Sequence, residues 1–110
     1  MDNDCVYIIG KVKGEPFEEC YKKFDAVAVK LHEAGYNAIN PLWYTKNMGL
    51  DDDDPKDRDY IKRKCISLML GCDKYYLLSD WKQSEFGIAE YELARALDFT
   101  MIKPEMIKGY

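Results

Sequence analysis

A single histidine, His32, stands among 110 residues, so no site within one chain can place two imidazoles on a metal ion. The four cysteines, at 5, 20, 65 and 72, include no C-x-x-C pair, which argues against a zinc site or a redox dithiol. Neither a metal nor a cofactor is expected. No apolar run approaches the roughly 18 residues of a membrane-spanning helix, and the opening Met1-Asp2-Asn3-Asp4 is not patterned as a signal peptide. Sixteen basic residues stand against twenty acidic ones, a formal net charge of −4. The chain therefore lacks the basic surplus that binders of long nucleic acids carry. It also lacks internal repeats and low-complexity linkers. The expectation is a cytoplasmic chain with reduced thiols and no membrane or long nucleic acid as partner, in which carboxylates perform any chemistry.

What the chain does hold is strand and helix in alternation. Hydrophobic residues make up 47%, enough for one core in a chain of this length, and one domain over residues 1–110 is expected. Residues 5–9 are a β-branched apolar run closed by Gly10, as a buried strand would be. Residues 11–16 form a loop containing Gly14 and Pro16. From Phe17, apolar residues recur at Cys20, Tyr21, Phe24, Val27, Ala28 and Leu31, one face of a helix, and Gly35 sits where a left-handed residue would end it. Residues 36–39 predict a second strand, stopped by Asn40-Pro41. Residues 42–54 carry Trp43, Tyr44, Met48 and Leu50 without a period and are expected to form a long irregular loop. Asp54-Pro55 suits an N-cap and a first-turn proline. The helix that follows runs to about Leu70, with Ile61, Cys65, Leu68 and Met69 on one face and Gly71 as its stop. Residues 75–78 predict a third strand, Ser84 caps a helix reaching Leu97, and residues 100–102 predict a fourth strand before Pro104.

Strands alternating with helices across short connections imply a parallel sheet covered on both faces. The expected fold is a small doubly wound α/β domain, a flavodoxin-like three-layer sandwich of about four strands and three main helices. Ligands of such folds sit beyond the carboxyl ends of the strands, near the switch in strand order. Loops 10–16, 40–54 and 79–84 and the start of the last helix are thus the candidate site.

Within them, Gly10-Lys11-Val12-Lys13-Gly14 sets backbone N–H groups and two lysines ahead of a helix, a combination suited to a phosphate. It matches neither the P-loop nor the dinucleotide fingerprint, and a solvated turn is the alternative. The last helix is expected to bury Phe86, Ala89, Leu93 and Leu97, with Glu90 beside that stripe, less than two turns from the helix start. Partial burial there would raise the carboxyl pKa while the helix N-terminus favours its anion, a setting for a nucleophile or general base. The alternative is a glutamate at the edge of the stripe with its head in water. The four aspartates at 51–54 lack the alternating ligands and glycine of a calcium loop and read as a negative helix entrance. His32 reads as structural. Trp43 and Trp81 could stack on a base or lie as lids over the core.

Taken in order, several segments resemble the nucleoside 2-deoxyribosyltransferase superfamily, including its small bacterial and phage members. They are Val6-Tyr7-Ile8-Ile9-Gly10-Lys11-Val12-Lys13-Gly14, Asn40-Pro41, Cys72-Asp73-Lys74-Tyr75-Tyr76-Leu77-Leu78, Trp81, and Ser84-Glu85-Phe86-Gly87-Ile88-Ala89-Glu90 followed by Leu93-Ala94. The first segment and the spacing from Ser84 to Glu90 are also similar to the 2′-deoxynucleoside 5′-phosphate N-hydrolases. The resemblance covers residues 5 to about 103. It implies that Glu90 is a nucleophile attacking the anomeric carbon of a sugar and that Tyr7 orients its carboxylate. It further implies that Gly10, Lys13 and Ser84 line the sugar or its 5′-phosphate. Lys11, Asn40, Trp43 and Trp81 complete the expected substrate-binding set. A homodimer or larger homo-oligomer is implied as well. A glycosyl-carboxylate intermediate would divide one difficult displacement into two easier ones.

The sequence departs from that pattern in three places. Cys65 stands where the superfamily usually has an aspartate that contacts the sugar and assists the leaving base, and a thiol does not do the same acid–base work at neutral pH. Lys11 replaces a serine of the hydrolases, and Phe86 stands where glycine is common. Two functions are carried forward. One is cleavage or transfer of the N-glycosidic bond of a deoxynucleoside or deoxynucleoside 5′-monophosphate. The other is a nucleotide-binding or sensing module that keeps the fold without the chemistry. A scaffold with no ligand, its pocket closed by Trp43 or Trp81, is the third option.

Overall fold

A computed structural model describes residues 4–45, 49 and 53–107. All five residues of β1 (Cys5–Ile9) are buried. A strand with no polar face must be covered on both sides, and the rest of the chain does this. Through α1 (Phe17–Glu33) the chain reaches β2 (Asn37–Ile39), parallel to β1 with Tyr7 opposite Ile39. It returns through α2 (Pro41–Thr45) and α3 (Pro55–Leu70) to β3 (Lys74–Leu77) on the other side of β1, with Tyr7 opposite Tyr75. Then α4 (Glu85–Ala96) leads to β4 (Thr100–Met101) at the far edge. The order is β2-β1-β3-β4 with every neighbour parallel, the expected flavodoxin-like α/β arrangement. The switch point lies between β1 and β3.

Successive side chains of a strand point to opposite faces, so β1 seeds two cores. Val6 and Ile8 meet Cys20, Phe24, Ala28 and Leu31 of α1. Cys5, Tyr7 and Ile9 meet Cys65 and Met69 of α3 and Ala94 of α4. Each large apolar side chain sealed in this way stabilises the fold by about 1.5–3 kcal/mol. All four cysteines are buried free thiols, and the sulfurs of Cys5 and Cys72 lie 2.8 Å apart beneath the sheet's amino end. Helix ends follow their sequence signals. The Asp54 side chain accepts from the N–H groups of Lys56 and Asp57 at 2.9 and 3.3 Å, and Gly35 turns left-handed at φ 95° after α1. Among the described residues no helix is long and apolar enough to cross a membrane.

Two expectations change. Residues 42–54 are not irregular throughout, because Pro41–Thr45 form a single helical turn. The Asn40 side chain sets it by accepting from the Leu42 N–H at 2.9 Å, and a helix this short shows no period in the sequence. Met48, Leu50, Asp51 and Asp52 lie outside the described residues. The second change concerns α4, whose buried face is Gly87, Glu90 and Ala94. Ala89 and Leu97 are exposed, and Phe86 and Leu93 are half-buried. Close approach decides the facing. A Cβ on Gly87 would stand 2.9 Å from the Trp81 carbonyl oxygen, in the 3-10 turn that precedes the helix. Small residues therefore lie inward, and the bulky ones flank them.

Replacing Gly87→Ala should destabilise the protein by about 1–3 kcal/mol, the usual range for overpacking a tight contact. Urea unfolding monitored by circular dichroism checks this, and an unchanged midpoint would show that the turn and α4 are not locked together.

Candidate active site

The geometry starts from Tyr7. It points from the middle of β1 toward α3 and α4, where its hydroxyl donates a hydrogen bond to Glu90 Oε2. Tyr7 is fully buried and Glu90 is 4% exposed. Glu90 thus lies at the centre of the buried face of α4, deeper than its place beside an apolar stripe suggested. Burial pushes its carboxyl up to about 8, opposed by the Tyr7 hydrogen bond, which favours the anion. The Tyr7 hydroxyl is itself held well above its ordinary value, first by burial, then by the Glu90 charge, then by Cys65, which also hydrogen-bonds it. The phenol keeps its proton, and the carboxyl carries its own through neutral pH.

Tyr7 and Glu90 border a narrow cleft of about 50 Å³, walled by Gly10, Lys13, Cys65, Ser84 and Phe86. That is room for one or two waters at about 30 Å³ each. Directly outside lies a wider pocket of about 320 Å³, sharing Lys13, Arg58, Lys62, Ser84 and Phe86 with the cleft and adding Lys11, Gln83 and Glu85. Both stand at the switch point. At the end of β1, a Cβ on Gly10 would overlap the Leu78 side chain, so only glycine lets these two chain segments close on each other.

A clamp fixes the loop that carries the lysines. Lys23 of α1 donates from Nζ to the Lys11 carbonyl at 2.9 Å and to Glu15 and Asp80 at 2.6 Å each. The Lys11 N–H donates to the other Asp80 oxygen at 3.0 Å. Burial alone would raise the Asp80 carboxyl, but the bonds from Lys23 and the Lys11 N–H outweigh it and hold that carboxyl below its ordinary value. The loop after β1 and the loop after β3 are joined by charge-assisted bonds, which are stronger than neutral ones.

Of the residues expected from the sequence, Tyr7, Gly10, Lys13, Ser84 and Glu90 come together in the cleft, and Lys11 lines the outer pocket. Three do not. Asn40 is fully buried and caps α2. Trp43 donates from Nε1 to Asp25 at 3.0 Å and lines a hollow between α1 and β2. Trp81 packs against Tyr91, with ring centroids 4.5 Å apart and the rings tilted by 44°. Their place in the connections beyond the strand ends did not determine which way those side chains face. Arg58 and Lys62 were not anticipated at all. The available signal was their spacing, since residues 58, 62 and 65 share one face of α3.

The comparison with known families adds one result: residues 4–103 match DUF4406, a domain of unknown function. The chain belongs to the DUF4406 family. The match takes in every residue of the DUF4406 cleft described above, whereas no curated protein and no solved structure matches the chain.

The raised Glu90 carboxyl has a consequence for stability. The native state holds a proton there up to about pH 8, whereas the unfolded chain releases it near the ordinary value of 4.5. Stability should therefore fall as pH rises through this window, by up to about 1.4 kcal/mol per unit. Glu90→Gln, which cannot ionise, should be more stable than the parent at pH 8 by a few kcal/mol and should match it near pH 4.5. Denaturant midpoints across pH 4.5–8 test this, and parallel profiles for the two proteins would refute the buried assignment.

Proposed function

We propose that this DUF4406 protein cleaves or transfers the N-glycosidic bond of a deoxynucleoside or its 5′-monophosphate, with Glu90 as nucleophile. The observation that carries the reading is a buried carboxylate held by a buried tyrosine at the base of a cleft on the switch point. The resemblance of the ordered segments to nucleoside 2-deoxyribosyltransferases supports it. Ionised Glu90 attacks the anomeric carbon. The new C–O bond forms as the C–N bond breaks, and the base leaves with the bonding pair and takes a proton from water. Water or a second base then attacks the same carbon, the Glu90 carboxylate is released, and the configuration is retained. Tyr7 aims the carboxylate and stabilises its charge. Lys13 and Ser84 hold the sugar end of the ligand.

Base release from deoxynucleosides and their 5′-monophosphates, followed by chromatography, tests the reading. Glu90→Ala should lower turnover by at least about a hundredfold, and Tyr7→Phe by roughly a hundredfold, as removal of a preorganised donor does. Because attack needs the anion, kcat/KM should rise about tenfold per pH unit below 8 and level off above it. A profile flat between pH 6 and 8 would remove Glu90 from the nucleophile's role. A second reading, a nucleotide-binding module without turnover, is favoured by Cys65 beside Tyr7 in place of an acid. Tight binding of a mononucleotide with no base released under any condition would select it.

A further inference from the structure

Two of the buried thiols lie where the proposed chemistry does not reach. Cys5 opens β1, and Cys72 follows Gly71 at the end of α3, two positions before β3. Both belong to the core between the sheet and helices α3 and α4, at the amino end of the strands. Glu90 and its cleft stand at the carboxyl end.

The two sulfurs are 2.8 Å apart. Carbon atoms in optimal contact stand about 3.5–4.0 Å apart, and sulfur is the larger atom, so packing alone would hold this pair further apart. A thiol is also a weak donor and a weak acceptor. The approach is better matched to a covalent bond, in which the sulfurs stand at about 2.03–2.05 Å on backbones already placed to suit it. Here each backbone is held without help from the sulfurs. Cys5 is paired in the sheet opposite Asn37, and the Cys72 N–H donates to the Met69 carbonyl at 2.9 Å. The gap left to close is a fraction of a bond length, within the reach of side-chain rotation. The other cysteines lie elsewhere: Cys20 is in the core on the opposite face of the sheet, and Cys65 hydrogen-bonds Tyr7. Only one pairing fits.

We propose that Cys5 and Cys72 form a reversible disulfide, a staple between the starts of β1 and β3. The bond is independent of the Glu90 chemistry, which neither forms it nor needs it. Both thiols are nearly sealed from solvent, and hydrogen peroxide, little larger than water, is the oxidant that reaches them. One sulfur attacks a peroxide oxygen, the O–O bond breaks, and a sulfenic acid forms while the thiol proton leaves with the departing hydroxide as water. The second sulfur attacks the first, the S–O bond breaks, and the second thiol proton leaves with that hydroxide as another water. The sulfurs are oxidised, and the peroxide is reduced to two waters. Excess thiol reverses the bond by exchange, so under reducing conditions the pair rests as a dithiol. The thiolate is the reacting form, and burial, then Cys5 itself, hold the Cys72 thiol above its ordinary value. Closure is therefore slow at neutral pH and faster in alkali. The bonded residues are 67 apart in sequence and enclose α1, α2 and α3. Cross-linking so long a loop restricts the unfolded chain and stabilises the native one.

Treatment of the reduced full chain with hydrogen peroxide in mild alkali tests the proposal. Digestion without reductant, after alkylation of the remaining thiols, should yield peptides joined through Cys5 and Cys72. The intact mass should fall by two hydrogens. The melting temperature should rise by at least about 5 °C and return on addition of dithiothreitol. Cys5→Ser and Cys72→Ser should each abolish the link and the rise, whereas Cys20→Ala should keep both. The peptide map of the unaltered chain decides the pairing by itself, should a variant not fold. Linkage of any other pair, a link between two chains, or oxygen adducts without a link overturn the proposal. So does a Cys5–Cys72 link that leaves the melting temperature unchanged or lower, because the native backbones would then not suit the bond.

Discussion

A carboxyl group sealed in the interior of a domain this small competes with the whole margin of stability, which for native proteins is only about 5–15 kcal/mol. In this chain the group is Glu90, and the Tyr7 hydroxyl meets it. Much of the architecture follows from bringing these two side chains together. Tyr7 has to sit at the middle of a strand covered on both faces, where its ring cannot swing. α4 has to lie close enough for a glutamate to reach that hydroxyl, which accounts for the small residues Gly87 and Ala94 on its inner face. The glycine at the end of β1 lets the segment after β3 close against it. Core packing and site geometry are thus set by the same contact.

Charge is distributed by depth. The deep groups are a tyrosine and a protonated glutamate, which together carry little charge at neutral pH. The cations lie further out, on two walls, one of them held by the salt-bridged network of Lys23, Glu15 and Asp80. Such an order suits a ligand with a neutral reacting end and an anionic tail, because each end meets surroundings of its own polarity as it enters. Under the proposed function it would also let an acidic chain take an anion: the net charge of −4 describes the whole surface, whereas binding responds to the local field.

The elements with a clear period or a chemical cap were legible in the sequence: β1 as an unbroken apolar run, α1 through its three-and-four spacing, α3 through Asp54-Pro55. The fold class followed from their alternation. Glu90 and Tyr7 were legible as candidates, but the depth of Glu90 was not, since the apolar stripe of α4 was placed on Phe86, Ala89, Leu93 and Leu97. That reading weighs hydrophobicity, whereas helix approach is decided by size, and the helix turned its smallest residues inward. Arg58 and Lys62 escaped notice for a related reason. On a helix diagram they belong to a polar face that reads as solvated, and only the return of the chain past β1 sets that face against the lysine loop. Trp43 and Trp81 were read as loop residues, whereas Trp43 lies in the short α2 and Trp81 opens a 3-10 turn, and their contacts with Asp25 and Tyr91 are tertiary and leave no local trace.

The narrowness of the inner cleft bears on kinetics. Its 50 Å³ admits a water or two, and a deoxyribose ring is larger than that. Under the proposed chemistry, a ligand meets Glu90 only in the fraction of molecules whose cleft has widened, and its apparent affinity is weakened in proportion to that fraction. Engagement of the sugar then saturates at the opening rate instead of climbing with concentration. The anionic tail, docking first on the open outer pocket, would hold the ligand at the entrance while the protein samples that wider form. Capture and commitment become separate events, and Phe86 stands at the boundary between them.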